Sequence, residues 1–196
     1  DVYLGDKRLA KYRKQKLPNY GVFDEERHFA QGDKTCVFEL AGLTVGLTIC
    51  EDIWEPGPTA DVAKAGASLL VNINASPFHE TKHALRNEIL AERAKETGLS
   101  IVYVNCVGGQ DELVFDGDSM VARHDGQIIS RAPTFEEGVF LADVPIDHVA
   151  NAKPAKKTDQ SMEQMCWRAL TMSVADYVKR NRCDGVLIGL SGGIDS

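Results

Sequence analysis

The order of apolar segments predicts an α/β fold, with strands and helices alternating along the chain. Two observations carry this. Three runs of β-forming residues, Leu43–Ile49, 68–73 and Ser100–Asn105, are separated by stretches of helical character. The longer of those stretches, 80–96, sets Leu85, Ile89, Leu90 and Ala94 at helical spacing and stops at Gly98. Strand–helix–strand–helix–strand order implies right-handed crossovers and helices layered on a sheet.

Taken in order, residues 1–13 predict a hairpin through Gly5-Asp6 and a strand running into Tyr12-Arg13-Lys14. Pro18 and Gly21 make 17–23 a loop, and Gln31-Gly32-Asp33 is a further turn. Cys36–Leu40 and Leu43–Ile49 pair across Ala41-Gly42. After Pro58, Thr59 is expected to cap a short helix through Ala65 that Gly66 ends. From 107 to 145 the pattern changes to short strands turning at Gly108-Gly109, Gly117 and Asp125-Gly126. Residues 147–160, with Pro154 and no apolar period, read as a linker between a first domain, 1–146, and a second unit, 161–196. The second unit opens with an amphipathic helix over 161–180, carrying Met165, Leu170, Val174, Tyr177 and Val178, then a buried strand over 186–190. The chain opens on Asp1 and stops at Ser196 directly after a glycine turn, so a fragment is expected.

The composition, 43% hydrophobic and 26% charged, is that of a globular protein. A net charge of −7 argues against a nucleic-acid surface, since phosphate binding needs a basic face. No apolar run has the length of a membrane span, and no signal peptide opens the chain. The five cysteines lack CxxC spacing, which points to free thiols in a reducing cytoplasm.

Chemistry centres on Cys50. It ends the apolar run Leu43–Ile49 and precedes an acidic segment carrying Pro56, Gly57 and Pro58. A thiol at a strand-to-loop corner is held still yet open to substrate. A cysteine nucleophile also needs a cation to favour the thiolate, a base, and a donor for the oxyanion. Lys14 can be both cation and donor. From residue type alone, Cys50 also reads as a small core residue and Lys14 as one charge of a basic run.

Three segments, 12–18, 23–29 and 46–54, resemble successive motifs of the nitrilase (carbon–nitrogen hydrolase) superfamily: YRKQKLP, FDEERHF and GLTICEDIW. The resemblance covers roughly the first 145 residues. It implies an αββα sandwich, here incomplete at its N-terminus, and a Glu-Lys-Cys triad. Its nucleophile falls on Cys50 and its lysine on Lys14. A second glutamate, which positions the lysine and substrate, falls on Glu25, with Glu26 as the alternative. The general-base glutamate of that family lies upstream of the lysine motif, before Asp1.

The tail Ser191-Gly192-Gly193-Ile194-Asp195-Ser196 resembles the SGGxDS loop of the N-type ATP pyrophosphatases, a Rossmann-like family. Glycines let backbone N–H groups turn to phosphate oxygens, and two serines add hydroxyl donors. The joined resemblances imply a cysteine-dependent glutaminase that feeds ammonia to an ATP-driven amidation of deamido-NAD⁺. AMP and pyrophosphate would be released, Mg²⁺ would accompany the ATP, and no prosthetic group would be needed. They also imply that Tyr20, Ser76 and Lys82 hold glutamine and that the intact enzyme forms a homo-oligomer. Two rival readings are a generic amide or nitrile hydrolase and an inert nitrilase-like scaffold. Glu51, next to Cys50, is a possible pocket residue if the chain turns there, and its N–H is an oxyanion donor candidate. Trp54 and Trp167 read as packing, Cys106 as a buried strand-end thiol, and Asp116 and Asp118 as turn formers. His28, His79, His83, His124 and His148 show no metal-ligand pattern and read as surface residues.

Overall fold

The structure, a computed structural model, describes residues 1–146, 153–156 and 160–194. Strands β1 (Val2–Leu4) and β2 (Lys7–Ala10) form the expected hairpin at Gly5-Asp6, and the second strand ends before Tyr12. The antiparallel pair β3 (Cys36–Leu40) and β4 (Leu43–Ile49) follows. Next come helix α1 (Pro58–Lys64), strand β5 (Leu69–Asn74), helix α2 (Lys82–Thr97) and strand β6 (Ser100–Asn105). A separate hairpin joins β7 (Val107–Gln110) to β8 (Leu113–Asp116). Strands β9 (Met120–Ala122) and β10 (Ile128–Arg131) turn at Asp125-Gly126 and complete a six-stranded sheet in the order β10-β9-β6-β5-β4-β3. Strands β4, β5 and β6 are parallel, and helices α1 and α2 are the crossovers between them.

Pleat alternation divides the core. Leu70, Ile101 and Tyr103 are fully buried and pack with Val62, Leu90 and Ala94 of the helices. On the other face Tyr12, Cys36 and Leu47 form a second cluster with Ile49 and Val71. Gly46 faces α1 so closely that an added Cβ would lie 2.0 Å from Val62 Cγ1, so this strand position cannot carry a side chain without repacking.

Several expectations need correction. Helix α1 starts one residue before the expected cap: Gly57 is the N-cap, Pro58 sits in the first turn, and Thr59 is buried inside it. Helix α2 buries Arg86, Leu90, Arg93 and Ala94, whereas Leu85 of the predicted stripe remains exposed. The rotation by one residue follows from the partners waiting for the two arginines. Arg93 Nε donates to the Ile53 carbonyl at 3.1 Å, and Arg86 meets buried carboxylate and carbonyl oxygens. Gly108 and Gly109 lie within β7 and form no turn. They let the final helix approach, since a Cβ at Gly109 would stand 3.0 Å from Ser173 Cα. The turn falls on Asp111 instead, at φ 50°.

That final helix, α3 (Met162–Arg180), begins at a Ser161–Gln164 capping box. It docks on the β7–β8 hairpin through Met165 and Ala169, which pack with Phe135, Phe78 and Val114. Asp176 Oδ2 accepts the Gly109 N–H at 2.7 Å. Trp167, expected to pack, is 72% exposed on the opposite side. The expected strand 186–190 is absent; these residues are exposed with no strand beside them among the described residues, and an unpaired strand has no ladder to hold it. The expected linker lies partly outside the described residues. Within it Ala155 N donates to the Ile128 carbonyl at 2.9 Å, along β10. No helix among the described residues is long and apolar enough to cross a membrane.

Candidate active site

Strand β4 delivers its last residue, Ile49, to a single 3₁₀ turn over Cys50–Ile53. Cys50 begins that turn in the left-handed region, at φ 45°. A non-glycine residue held there costs roughly 1–3 kcal/mol, so the surroundings must fix the corner. The thiol is nearly buried and lines a cavity of about 610 Å³ with Lys14, Glu25, His28, Phe29 and Ala75. The strand-to-loop corner expected from the sequence is therefore present, and Lys14 and Cys50 share one cavity.

Lys14 Nζ donates to both Glu25 carboxylate oxygens at 2.7 Å. Glu26 lies instead in the wall of a neighbouring cavity, so Glu25 is the carboxylate that meets the lysine. Burial pushes the Cys50 thiol up from its ordinary value, and this outweighs the pull of the Lys14 ammonium. Glu51 and Glu25 push it further up, and the Ala75 backbone draws it down. The free site thus holds a thiol and not a ready thiolate, contrary to the simple expectation from a lysine neighbour. A base must take the proton when substrate arrives.

Glu51 turns toward the pocket side. Its Oε1 accepts from Tyr20 Oη at 2.8 Å, and burial followed by this carboxylate pushes the phenol up. Both residues line the adjoining cavity of about 630 Å³ beside Lys16, Leu17 and Phe29. Ser76 is buried and locked: its N–H donates to Asn105 Oδ1 at 2.8 Å, and its Oγ accepts from Arg86 Nη2 at 3.3 Å. It does not cap α2, which starts six residues later. Lys82 Nζ stands 4.3 Å from the centre of the Trp54 ring. Neither Ser76 nor Lys82 lines the Cys50 cavity, whereas Ala75 does.

At the tail, Gly192 adopts φ 83° and Gly193 N donates to Ser191 Oγ at 3.2 Å, with Ile194 exposed. Asp195 and Ser196 lie outside the described residues, as does His148. Asp116 and Asp118 are buried and paired, not merely turn formers: Asp116 binds Arg86, and Asp118 contacts Arg131 and, at 3.0 Å, His83 Nδ1. His83 is accordingly not a free surface histidine, and His28 lines the cavity. Cys106 is exposed, not buried. Among the described residues no group of three or more His, Cys, Asp or Glu can hold a metal ion, so none is assigned to Mg²⁺.

Two residues that the sequence reading passes over organise the site. Asp52 is fully buried and accepts four hydrogen bonds; Arg86 anchors the 76–77 corner next to Ala75. A signal for Asp52 exists in its position between the apolar Ile49 and Ile53, where a solvated acid is out of place.

The carbon-nitrogen hydrolase family model matches residues 2–154. The chain belongs to that family. An amidase of the nitrilase superfamily from Nesterenkonia sp. AN1, solved with acrylamide added at its active-site cysteine, superposes with a TM-score of 0.62. It is 32% identical over 71% of this chain and 53% of its own. The glutamine-dependent NAD(+) synthetase of Xylella fastidiosa (strain 9a5c) is 44% identical over 195 residues, 94% of this chain. A glutamine-dependent NAD+ synthetase from Acinetobacter baumannii, solved with adenosine diphosphate, gives a TM-score of 0.80 at 40% identity over 94% of this chain. The chain spans 35% of the length of each of these synthetases.

Proposed function

We propose that this carbon-nitrogen hydrolase chain is the glutaminase part, with the opening of the synthetase part, of a glutamine-dependent NAD⁺ synthetase. The observation that carries the reading is the enclosure of Cys50, Lys14 and the Lys14–Glu25 pair in one cavity. Support for the particular enzyme comes from the synthetase relatives that match 94% of the chain.

The arrangement of Cys50, Lys14 and Glu25 supports a covalent route. A base takes the Cys50 proton as glutamine enters, and the sulfur bonds to the side-chain amide carbon. Lys14 donates to the oxyanion that forms, and Glu25 holds the ammonium in place for it. Collapse of the tetrahedral intermediate breaks the carbon–nitrogen bond, and the protonated nitrogen leaves as ammonia. Water then attacks the thioester, releasing glutamate and restoring the thiol. The proton transfers need a base, a part that the family resemblance gives to a glutamate. Tyr20, with Glu51 as its partner in the adjoining cavity, and Lys82, beside the Trp54 ring, are the glutamine-binding candidates. Ser76 acts there through the corner that carries Ala75.

In the second half, ATP adenylates deamido-NAD⁺ with release of pyrophosphate, and ammonia then displaces AMP, giving NAD⁺, with Ser191, Gly192, Gly193, Ile194, Asp195 and Ser196 as the pyrophosphate loop. The intact enzyme is a cytoplasmic homo-oligomer acting on small molecules.

The test is NAD⁺ formation by the full-length protein from deamido-NAD⁺, ATP and Mg²⁺, with glutamine or ammonia as nitrogen source. The Cys50→Ala variant should lose the glutamine-driven rate and keep the ammonia-driven one. Wild-type protein that makes no NAD⁺ from either source contradicts the reading and leaves a generic amidase.

A further inference from the structure

We infer that Asp52 is a positioning residue that clamps the lysine segment to the nucleophile corner. Its side chain has no exposed surface. Oδ1 accepts from Gln15 N at 3.0 Å and from Lys16 N at 2.8 Å, the two backbone donors that directly follow Lys14. Oδ2 accepts from Ile49 N at 3.0 Å, the donor directly before Cys50, and from Tyr12 Oη at 2.8 Å, two residues before Lys14. One carboxylate therefore holds both flanks of the lysine and one flank of the cysteine.

The residue type is dictated by this arrangement. An ionised carboxylate offers about four lone-pair sites and no donor, and here four donors converge on it. Asparagine is the same size but replaces one accepting oxygen with an NH₂ group. That group would face either the Gln15 and Lys16 N–H pair or the Ile49 N–H and Tyr12 hydroxyl. Facing the first pair, it would leave both N–H groups without an acceptor; facing the second, it would strand the Ile49 N–H while the Tyr12 hydroxyl turns to accept, and either way the clamp between the 12–16 segment and the 3₁₀ turn loses bonds. The cost to chemistry is indirect, because Asp52 does not line the Cys50 cavity. It is geometric: displacement of a donor by about 1 Å is enough to lower a rate roughly a hundredfold. The same clamp restrains Cys50 at its left-handed φ of 45° through the Ile49 bond.

The kinetic part of the test rests on the glutaminase reading, so a second readout is independent of it. Full-length wild type, Asp52→Asn and Tyr12→Phe are compared in glutamine-driven and ammonia-driven NAD⁺ formation. The pH dependence of Cys50 alkylation by iodoacetamide is followed by peptide mass mapping. Asp52→Asn is expected to lower kcat with glutamine roughly a hundredfold, with KM changed by less than about threefold and the ammonia-driven rate retained. Its Cys50 alkylation midpoint should rise, because withdrawal of Lys14 removes the cation that draws the thiol down. Tyr12→Phe, which keeps the carboxylate and its three backbone donors, should move both readouts in the same direction by a smaller amount. The clamp is overturned if Asp52→Asn loses thermal stability while its kcat per alkylatable Cys50 and its alkylation midpoint match wild type. If Asp52→Asn does not fold, Tyr12→Phe decides: a lower glutamine rate with a raised midpoint supports the clamp, and wild-type values of both overturn it. A wild type without NAD⁺ synthesis refutes the glutaminase–synthetase reading, and the alkylation midpoints still decide the clamp.

Discussion

Arg86 donates from Nη1 to both carboxylate oxygens of Asp116, at 2.9 and 2.8 Å, and neither side chain is more than 3% exposed. The same guanidinium donates from Nη2 to the Ser76 carbonyl at 3.0 Å. The pair thus ties α2 and the end of β8 to the corner after β5, where Ala75 lines the Cys50 cavity. Removing one partner of a buried pair strands the other charge, at a cost of about 3–5 kcal/mol. Asp116→Ala leaves Arg86 only the Asp118 carboxylate at 3.8 Å, so it should lower the unfolding free energy by up to that amount in a urea titration. Arg86→Met, which instead leaves Asp116 stranded, should cost as much and, on the proposed glutaminase reading, slow glutamine hydrolysis as well.

Glu25 is the sole carboxylate bonded to Lys14 among the described residues, through two bonds of 2.7 Å. Glu25→Gln keeps one acceptor and turns an NH₂ group toward the ammonium. Lys14 then loses its fixed position, and on the proposed glutaminase reading kcat for glutamine hydrolysis should fall by roughly 10²-fold, with ammonia-driven synthesis unaffected. Lys14→Met should fall at least as far, since it removes the proposed oxyanion donor itself. Steady-state rates with the two nitrogen sources check both.

The Cys50 thiol is raised by burial first, with Glu51 and Glu25 adding to it against Lys14. Removing the Glu51 charge favours the thiolate, so Glu51→Gln should lower the pH midpoint of Cys50 alkylation. The amide oxygen of the new side chain can still accept from Tyr20. Lys14→Met should move that midpoint the opposite way. The linkage has a definite sign. A folded-state thiol raised above its unfolded value carries stability that is complete below about pH 8.5. That stability is lost as pH rises through the folded value, so Cys50→Ala should flatten the alkaline limb of the stability profile.

Gly46 offers a packing test away from the site. A methyl group there would lie 2.0 Å from Val62 Cγ1 and 3.3 Å from its Cβ. Gly46→Ala should destabilise the fold by about 1–3 kcal/mol through overpacking. Adding Val62→Ala should recover part of that loss, and a double-mutant cycle measures the coupling.

The strands, the helices of the first 130 residues and the Cys50 corner were legible because period and turn chemistry act locally. Ile49 and Cys50 end an apolar run, and that alone locates the corner. The long-range satisfaction of buried charge was not legible. Arg86 and Arg93 look like solvated positions on α2 until Asp116 and the Ile53 carbonyl are brought to them by β8 and the 3₁₀ turn. Asp52 looks like half of an acidic surface pair with Glu51, because its donors lie 36 to 40 residues away, apart from Ile49. The run 186–190 carries strong β-propensity, yet propensity supplies no neighbouring strand, and these residues stay unpaired. The acceptance of the Arg86 N–H by the Ser76 hydroxyl was not legible either, because the two residues meet only once the 76–77 corner packs on α2.

The most direct measurement is thiol mapping under substrate protection. The full-length protein is treated with iodoacetamide with and without saturating glutamine, and alkylation of Cys36, Cys50, Cys106, Cys166 and Cys183 is quantified by peptide mass spectrometry. A nucleophile in the Lys14–Glu25 cavity predicts that glutamine suppresses labelling at Cys50 and leaves exposed Cys106, Cys166 and Cys183 unchanged. Labelling of Cys50 that glutamine does not alter, or protection centred on another cysteine, would contradict it.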